Sequence, residues 1–225
     1  MDVCALRMPS KVYFGRNSLS KITDIIYEHS FRRIALFTDK GIEACGLLND
    51  ILNQFIKADV SYIILDNLKA EPTYHDVQIL VDECREYHAD AIFACGGGSV
   101  MDTAKISSLL VHNDYRVIDL VTNGVKPKKG VPTVLIPTTA GTGSEATQNA
   151  IVTVPENELK LGVINDSMIC DYAILDPIMT ASLPSHIAAS TGLDALAHAI
   201  ECLTSKKANC FSDLFALEAL DLILN

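Results

Sequence analysis

The sequence has no excess of positive charge and no long apolar run. Its 225 residues carry 18 Lys and Arg against 28 Asp and Glu, so the formal net charge at pH 7 is −10. A chain with this acidic balance is a poor candidate for binding nucleic acid or an anionic membrane through charge. No apolar run approaches the roughly 18 residues that span a bilayer. We therefore expect neither a nucleic-acid partner nor a membrane partner.

A leader peptide and a disulfide pattern are also missing. The first residues, MDVCALRMPSKVYFG, lack the basic segment followed by an apolar one that marks a secretory signal peptide. The seven cysteines are odd in number, form no C-x-x-C pair and fall mostly in apolar segments. This usage favours reduced thiols in a cytoplasmic protein over a disulfide framework.

The residues that are present follow the pattern of an α/β protein. With 49% apolar and 20% charged residues, the chain is globular rather than disordered. Apolar β-rich runs alternate with helical stretches, which implies a Rossmann-like parallel sheet covered by helices on both faces. Strands are predicted at 11–14, 33–37, 60–65, 89–95, 133–136, 150–154, 160–164 and 172–175.

Helical stretches separate the earlier strands, and only helices follow the last one. Ser18 is the expected N-cap of a helix through about residue 29, and Thr73 that of a helix through about residue 88. Because the pattern is purely helical from about residue 183, we place a domain boundary near residue 180. Residues 1–180 then form the α/β domain, and residues 181–225 are the first helices of an incomplete all-α domain. Further helices are predicted at 47–58, 96–111, 185–203 and 209–224.

The segment GGGSVMDTAK at 96–105 follows a predicted buried strand and opens a helix. Its glycines remove side chains where a phosphate approaches the backbone, and the helix N-terminus offers unpaired N–H groups. The segment matches neither G-x-G-x-x-G nor a P-loop. A tight turn also uses glycine, but three in succession favour phosphate binding. Asp102 and Lys105, three residues apart, also have the spacing of a simple ion pair on the helix surface.

A second glycine-rich turn, PTTAGTGSE at 137–145, also follows a predicted strand. Its hydroxyl groups can bond phosphate or ribose, and Glu145 suits the first turn of a helix, although a capped turn would use the same residues. Two such loops at the carboxyl ends of strands in one sheet favour a dinucleotide over a mononucleotide. We therefore predict that residues 1–180 bind a dinucleotide.

Asp39 lies just past the strand predicted at 33–37. A carboxylate there accepts from a ribose hydroxyl and repels a 2′-phosphate, which favours NAD over NADP. An aspartate in a turn is also common without any such role.

Asp194 and His198 lie four residues apart in the helical segment GLDALAHAIE, so both side chains share one helix face. This spacing suits one carboxylate and one imidazole ligand of a metal ion, and equally an ordinary ion pair on the surface. The small apolar residues around them and the scarcity of other charges favour the metal hypothesis.

Together these segments resemble the iron-dependent (group III) alcohol dehydrogenase family. GGGSVMDTAK matches the family signature GGGS-x-x-D-x-A-K, PTTAGTGSE matches its second loop, and GLDALAHAIE matches its metal-binding helix. The order and separation of the motifs match as well, and the resemblance runs from about residue 7 onward.

The resemblance implies which residues bind the cofactor NAD and the metal. The two loops would hold the pyrophosphate and the nicotinamide side, Asp39 would read a ribose, and Lys160 would lie near the nicotinamide ribose. Asp194 and His198 match the first two ligands of the catalytic Fe²⁺ or Zn²⁺. The implied cofactor contacts in the loops are Gly97, Gly98, Ser99, Asp102, Thr138, Thr139 and Thr142.

The resemblance also implies that two metal ligands are missing. Family members continue past residue 225 with helices that supply two further histidines, so we expect a chain truncated before them. None of the six histidines falls where a third ligand is expected. Since a catalytic divalent metal usually has three or four protein ligands, the sequence predicts half of a metal site.

For a complete enzyme the resemblance implies NAD-dependent oxidation of a small alcohol, or reduction of an aldehyde, by a cytoplasmic homo-oligomer such as a dimer. The metal would stabilise the alkoxide while hydride passes to the nicotinamide, with no dedicated side-chain base. Two alternatives stay open. One is a lyase of the 3-dehydroquinate synthase type, whose first metal ligand is usually Glu where this chain has Asp194. The other is a non-catalytic NAD-binding fragment.

Overall fold

The main sheet contains six strands, and every neighbouring pair in it is parallel. The computed structural model describes residues 3–225, apart from the side chain of residue 157. The strands lie in the order β1-β8-β5-β4-β2-β3. Their bounds are β1 Lys11–Phe14, β2 Arg33–Phe37, β3 Ser61–Leu65, β4 Ala91–Gly96, β5 Thr133–Pro137 and β8 Tyr172–Leu175.

Helices cover both faces of this sheet, as the α/β prediction requires. Along β2, Ile34 points to one face and the next residue, Ala35, to the other, so successive side chains enter two separate apolar clusters. α1 and α3 pack on the first face, and α4 and α5 on the second. The bounds are α1 Lys21–His29, α2 Lys40–Ala44, α3 Asn49–Lys57, α4 Tyr74–Tyr87, α5 Gly98–Leu110 and α6 Val117–Thr122. The fold class predicted from the sequence is therefore confirmed.

The two predicted N-caps have different outcomes. Thr73 caps α4 as expected, with its hydroxyl accepting from the amide of Asp76 and the Asp76 carboxylate accepting in return. Ser18 does not cap α1, because a short 3₁₀ turn over Ser18–Ser20 precedes that helix. The left-handed backbone of Asn17, with φ of 65°, redirects the chain before the helix begins, and the Ser18 hydroxyl has no partner among the described residues.

Two predicted strands lie outside the main sheet. β6 (Asn149–Val154) and β7 (Leu159–Ile164) pair with each other in an antiparallel hairpin. One face of the hairpin buries Ala150 and Val152 against Ile106 and Leu109 of α5. Local apolar alternation predicted both strands correctly but did not show that they form a sheet of their own. The sequence pattern also missed α2 and α6.

The last two helices, α7 (Ser185–Thr204) and α8 (Cys210–Leu224), pack on each other and bury little. Ala199 and Ala216 are their only buried residues in the described part of the chain. Nine of their large apolar side chains are exposed, including Leu193 at 67% and Leu222 at 72%. The boundary near residue 180 stays a prediction. Across residues 3–225 there is no helix of the length and apolarity that a bilayer crossing needs.

Candidate cofactor and metal site

The sheet changes direction of winding between β2 and β4. The chain leaves β2 toward β3 on one side and leaves β4 toward β5 on the other, so the two connections diverge. In open α/β sheets such a divergence at the carboxyl ends of the strands forms a crevice in which ligands bind. Asp39 follows β2 and Gly97 follows β4, so two of the predicted site residues flank this crevice.

The first turn of α5 lacks a capping side chain. Gly97 is the N-cap residue, and no side chain in the described part of the chain accepts a hydrogen bond from this end of the helix. The amide of Met101 is the first to bond within the helix, to the carbonyl of Gly97 at 3.1 Å. The preceding amides belong to residues that line the crevice, Gly98, Ser99 and Val100. Unpaired N–H groups and a positive dipole end suit an anionic group such as a phosphate.

The crevice has a volume of about 440 Å³ and brings together Asp39, Gly97, Gly98 and Ser99. The Asp39 carboxylate caps α2, with Oδ1 accepting from the amide of Ile42 at 3.0 Å. Asp39 therefore has a structural role at the crevice, as the N-cap of α2, besides any role in binding a ligand. The other lining residues are Lys40, Gly41, Leu68, Lys69, Ala70 and Val100.

Two lysines of the crevice were missed by the sequence reasoning. Lys40 is exposed at the start of α2, and Lys69 pairs with Asp76 at 2.8 Å. Both add positive charge beside the uncapped helix end, which suits a pyrophosphate. Nothing in their local sequence distinguishes them from other surface lysines.

The second predicted loop lies directly against the first. The amide of Thr138 donates to the carbonyl of Gly96 at 3.1 Å. A Cβ placed on Gly98 would approach the side chain of Thr142 at 3.0 Å, a contact tight enough that Thr142 would have to shift. The hydroxyl of Thr139 is buried, has no hydrogen-bond partner among the described residues and lies next to Gly97. A glycine pair beside an unpartnered hydroxyl fits a ligand with hydrogen-bonding groups.

Asp102 and Lys105 form an ion pair, with Nζ 2.9 Å from Oδ1, but the pair is not on the helix surface. The expected surface location is wrong, because Lys105 is fully buried and the side chain of Asp102 is 13% exposed. Burial lowers the pKa of the Lys105 ammonium, and the Asp102 carboxylate opposes that shift. The Asp102 oxygens also accept from the hydroxyl of Ser144 at 2.5 Å and the amide of Ile151 at 2.9 Å.

Lys160 is the second residue of β7 in the β6–β7 hairpin and does not line the crevice. Its Nζ pairs with Glu71 at 2.6 Å, and both side chains are more than half exposed. A small cavity of about 70 Å³ brings Lys160 together with Ser99 and Asp102. The structure thus places Lys160 beside the first loop, although it comes from a different sheet.

Asp194 and His198 lie on one face of α7, with Oδ2 and Nδ1 3.8 Å apart and both side chains about half exposed. Among residues 3–225, no group of three or more His, Cys, Asp or Glu side chains is placed to hold a metal ion. A catalytic divalent metal takes three or four protein ligands, so these two residues alone do not fit one.

Close backbone packing joins this helix to the second loop. A Cβ on Gly141 would lie 2.6 Å from the carbonyl oxygen of Thr191. Thr191, Asp194 and His198 are spaced three and four residues apart along α7, so they share one face of the helix. The candidate metal ligands therefore lie on the face that packs on the second loop.

A larger cavity, of about 650 Å³, lies between α3 and the residues that follow β1 and β8. It contains none of the predicted site residues, and its lining mixes Arg16 with Asp50 and Asp176. Asp176 already accepts from the amides of Leu19 and Ile178. Size alone does not make this cavity the functional site, because its polar groups do not converge on one kind of ligand.

Comparison with known proteins agrees with the three motifs. The sequence model of the iron-containing alcohol dehydrogenases matches residues 9–177, and the model of the C-terminal part of that family matches residues 188–225. An NAD-dependent methanol dehydrogenase from Bacillus methanolicus is 32% identical over 216 residues, covering 96% of this chain and 57% of that protein.

Two solved structures show the same likeness. A sulfoacetaldehyde reductase from Bifidobacterium kashiwanohense, in complex with NAD⁺, has a TM-score of 0.93 at 28% identity, covering 100% of this chain and 60% of that one. An iron-containing alcohol dehydrogenase from Thermotoga maritima has a TM-score of 0.89 at 37% identity, covering 98% and 61%.

This chain therefore spans about three fifths of the length of these relatives. The family resemblance predicted from the motifs is confirmed by the match over residues 9–177, which is well over half of the 225 residues. The chain belongs to the iron-containing alcohol dehydrogenase family.

Proposed function

We propose that this chain binds NAD in the crevice between β2 and β4, as the cofactor-binding part of an alcohol dehydrogenase or aldehyde reductase. The observation that carries the proposal is the uncapped N-terminus of α5, with Gly97 and Gly98 in the same crevice as Asp39. The names of two relatives support it, since one is an NAD-dependent dehydrogenase and the other was solved with NAD⁺.

Each part of the crevice has a proposed role. Gly97, Gly98 and Ser99 hold the pyrophosphate through the free amides of α5, and Asp39 accepts from a ribose hydroxyl. The second predicted loop, residues 137–145, is called the threonine loop below. This loop and Lys160 bind the nicotinamide side of NAD. When bound, NAD accepts a hydride from the carbon of a small alcohol, and in its reduced form it supplies one to an aldehyde. The residues of the chain bind and orient the reactants. The hydroxyl proton of the alcohol would leave to water or to a hydroxyl of the cofactor, and the reverse reaction would take a proton up by the same route, so no side-chain base is required.

Direct binding tests this proposal. NADH fluorescence, titrated with the purified chain, is expected to show saturable binding at one site per chain. The absence of saturable binding of NADH and of NAD⁺ would contradict the proposal. The relatives considered above are named dehydrogenases or reductases, so the lyase alternative has no support from them. Cytoplasmic location and homo-oligomerisation belong to the same proposal, and the exposed apolar side chains of α7 and α8 support self-association.

Asp39→Asn is expected to relax the preference for NADH over NADPH about tenfold. The asparagine oxygen still caps α2 at Ile42, so the substitution removes the charge and keeps the hydrogen bond. Without the carboxylate, a 2′-phosphate is no longer repelled. The measurement is the ratio of the dissociation constants of NADH and NADPH.

Asp39→Gly serves as the matched control for the cap. Glycine at an N-cap costs only a few tenths of a kcal/mol relative to aspartate, so this variant also stays folded. We expect the same change of ratio in both variants, because both remove the charge. An unchanged ratio in either one would show that Asp39 does not read the ribose.

We further propose Asp194 and His198 as two ligands of a divalent metal, Fe²⁺ or Zn²⁺, with the remaining ligands supplied from outside residues 3–225. With two ligands alone, the expected result is weak metal binding, well below one ion per chain after desalting with NAD present. An equilibrium Zn²⁺ titration measures the weak site, and His198→Ala is expected to remove it. Equal Zn²⁺ binding by wild type and by His198→Ala would refute the assignment.

The other outcome of the metal count is equally informative. About one ion per chain after desalting would mean that the two residues find further ligands, for example across an oligomer, and a screen of alcohols becomes worthwhile. Binding of NAD without a retained metal would favour the second candidate function, an NAD-binding chain that does not turn over an alcohol by itself. The two-ligand geometry of α7 is the observation in favour of this candidate.

A further inference from the structure

Lys105 is a charged side chain in an interior position directly behind the crevice. It is fully buried, although it belongs to the same helix that presents Gly98 and Ser99 to the proposed cofactor. An ammonium group in the interior is costly unless it is paired and hydrogen-bonded. The burial of Lys105 is therefore to be explained by the groups with which its ammonium forms an ion pair and hydrogen bonds.

Among the described residues, the acceptors of Lys105 other than Asp102 lie in residues 144–149, which comprise the end of the threonine loop and the segment that leads into β6. Its Nζ donates to the carbonyl of Ser144 at 3.0 Å, to the hydroxyl of Thr147 at 3.0 Å and to the carbonyl of Asn149. Three hydrogen bonds from one ammonium thus fix the path of residues 144–149. Regular structure in this segment is limited to a short 3₁₀ turn at Ser144–Ala146 and to Asn149, the first residue of β6.

Asp102 holds the same segment from one helical turn earlier. It accepts from the hydroxyl of Ser144 at 2.5 Å and from the amide of Ile151, the third residue of β6, at 2.9 Å. Both side chains of the ion pair therefore bind the start and the end of this segment. These contacts engage both carboxylate oxygens of Asp102, so the structure offers a role for it other than direct contact with NAD.

Stability alone is a poor explanation for such a pair. A buried ion pair often contributes no more than well-packed apolar side chains of the same volume would. What an apolar pair does not provide is a fixed register of a polar loop, since only directional hydrogen bonds select particular carbonyl groups. The loop in question is the one whose Thr139 and Thr142 lie against Gly97 and Gly98.

We propose that Lys105 and Asp102 are positioning residues that hold residues 138–144 in the register needed to bind the nicotinamide half of NAD. The proposal rests on the proposed function, because it assumes that NAD binds in the crevice. It differs in its consequence: the ADP half of NAD is held by Gly97, Ser99 and Asp39, and none of the hydrogen bonds of the pair goes to these residues. Loss of the pair is therefore expected to weaken binding of the nicotinamide half of NAD and to leave binding of the ADP half unchanged.

The test compares the affinities for NADH and for ADP in Lys105→Met. We expect the dissociation constant of NADH to rise about tenfold or more, because the threonine loop loses its register, whereas that of ADP stays within about twofold. Calorimetry measures both ligands. Wild-type protein that binds neither ligand would refute the proposed function itself, and this result is distinct from a failure of the positioning role.

Lys129→Met is the matched control. Lys129 is also a mostly buried lysine in an ion pair, 2.8 Å from Asp171, and it donates to the carbonyl of Ile169 at 2.6 Å. It lies just before β5, at the amino ends of the parallel strands, whereas the crevice lies at their carboxyl ends. We expect this variant to lose stability and to keep both affinities. An unchanged NADH affinity in Lys105→Met, or equal losses for NADH and ADP, would overturn the positioning role.

Ser144→Ala tests the proposal if Lys105→Met does not fold. It removes one hydrogen bond to Asp102 and leaves Lys105 paired with its carbonyl acceptors. We expect a smaller loss of NADH affinity, about threefold, with ADP binding again unaffected. Parallel changes for the two ligands in this variant would overturn the proposal as well.

Discussion

Gly97→Val is expected to lower the affinity for NADH by about a hundredfold or more while the protein stays folded. The backbone of Gly97 has φ of −81°, which any residue adopts, and a Cβ at this position would lie 3.7 Å from Thr139, an ordinary contact. The fold therefore accepts a side chain here. The two methyl groups of valine would occupy the space in front of the free amides of α5, where the pyrophosphate is proposed to bind.

The measurement pairs NADH titration with thermal unfolding. Gly97→Ala is the graded control, since its single methyl group intrudes less and is expected to give an intermediate loss. We expect the melting temperature of both variants to stay within a few degrees of that of the wild type. If Gly97→Val binds NADH as tightly as the wild type does, phosphate does not bind at the N-terminus of α5, and the proposed function loses its main support.

Gly141→Ala is expected to destabilise the protein by about 3 kcal/mol, because the added methyl group cannot be accommodated. A Cβ on Gly141 would lie 2.6 Å from the carbonyl oxygen of Thr191 and 2.8 Å from its Cβ. The backbone of α7 cannot rotate away as a flexible side chain would, so the loop and the helix must separate. This separation would also move Asp194 and His198 relative to the second loop.

Urea denaturation measures this loss, and Gly192→Ala provides the control on the same helix. Gly192 has no atom within 4 Å of its would-be Cβ, so alanine there is expected to stabilise α7 by about 0.5–1 kcal/mol. Opposite effects of the same substitution at two nearby glycines would establish the contact between loop and helix. Wild-type stability of Gly141→Ala would mean that α7 does not pack on the second loop in solution.

Local sequence pattern was sufficient for most of the elements. The predicted strands appear within two residues of their structural bounds, and Thr73 caps α4 as its spacing to Asp76 suggests. One failure concerns the backbone conformation of a neighbouring residue, and the other concerns the pairing of two strands. Ser18 lost its capping role to a turn formed by positive φ at Asn17, and the β6–β7 hairpin was not recognised as a separate sheet. Neither result follows from the apolar spacing of a single segment.

The candidate site was predicted in its parts but not in its assembly. Glycines after a strand and an aspartate after another strand are local signals, and the structure places both on one crevice. The lysines of the crevice and the interior position of Lys105 gave no local signal. A lysine three residues after an aspartate pairs with it on an exposed helix and in an interior alike, so spacing does not reveal burial.

The sequence by itself determined the alternation of strands and helices, the glycine turn that opens α5, and the placement of Asp194 and His198 on one face of α7. These features depend on backbone geometry within a few residues. Only the tertiary structure decided that β2 and β4 are neighbours, so that Asp39 and Gly97 line one crevice. It also decided that Lys105 holds residues 144–149 and that Gly141 packs on Thr191. The physical reason is that such contacts join distant segments, and burial summed over the whole chain selects them.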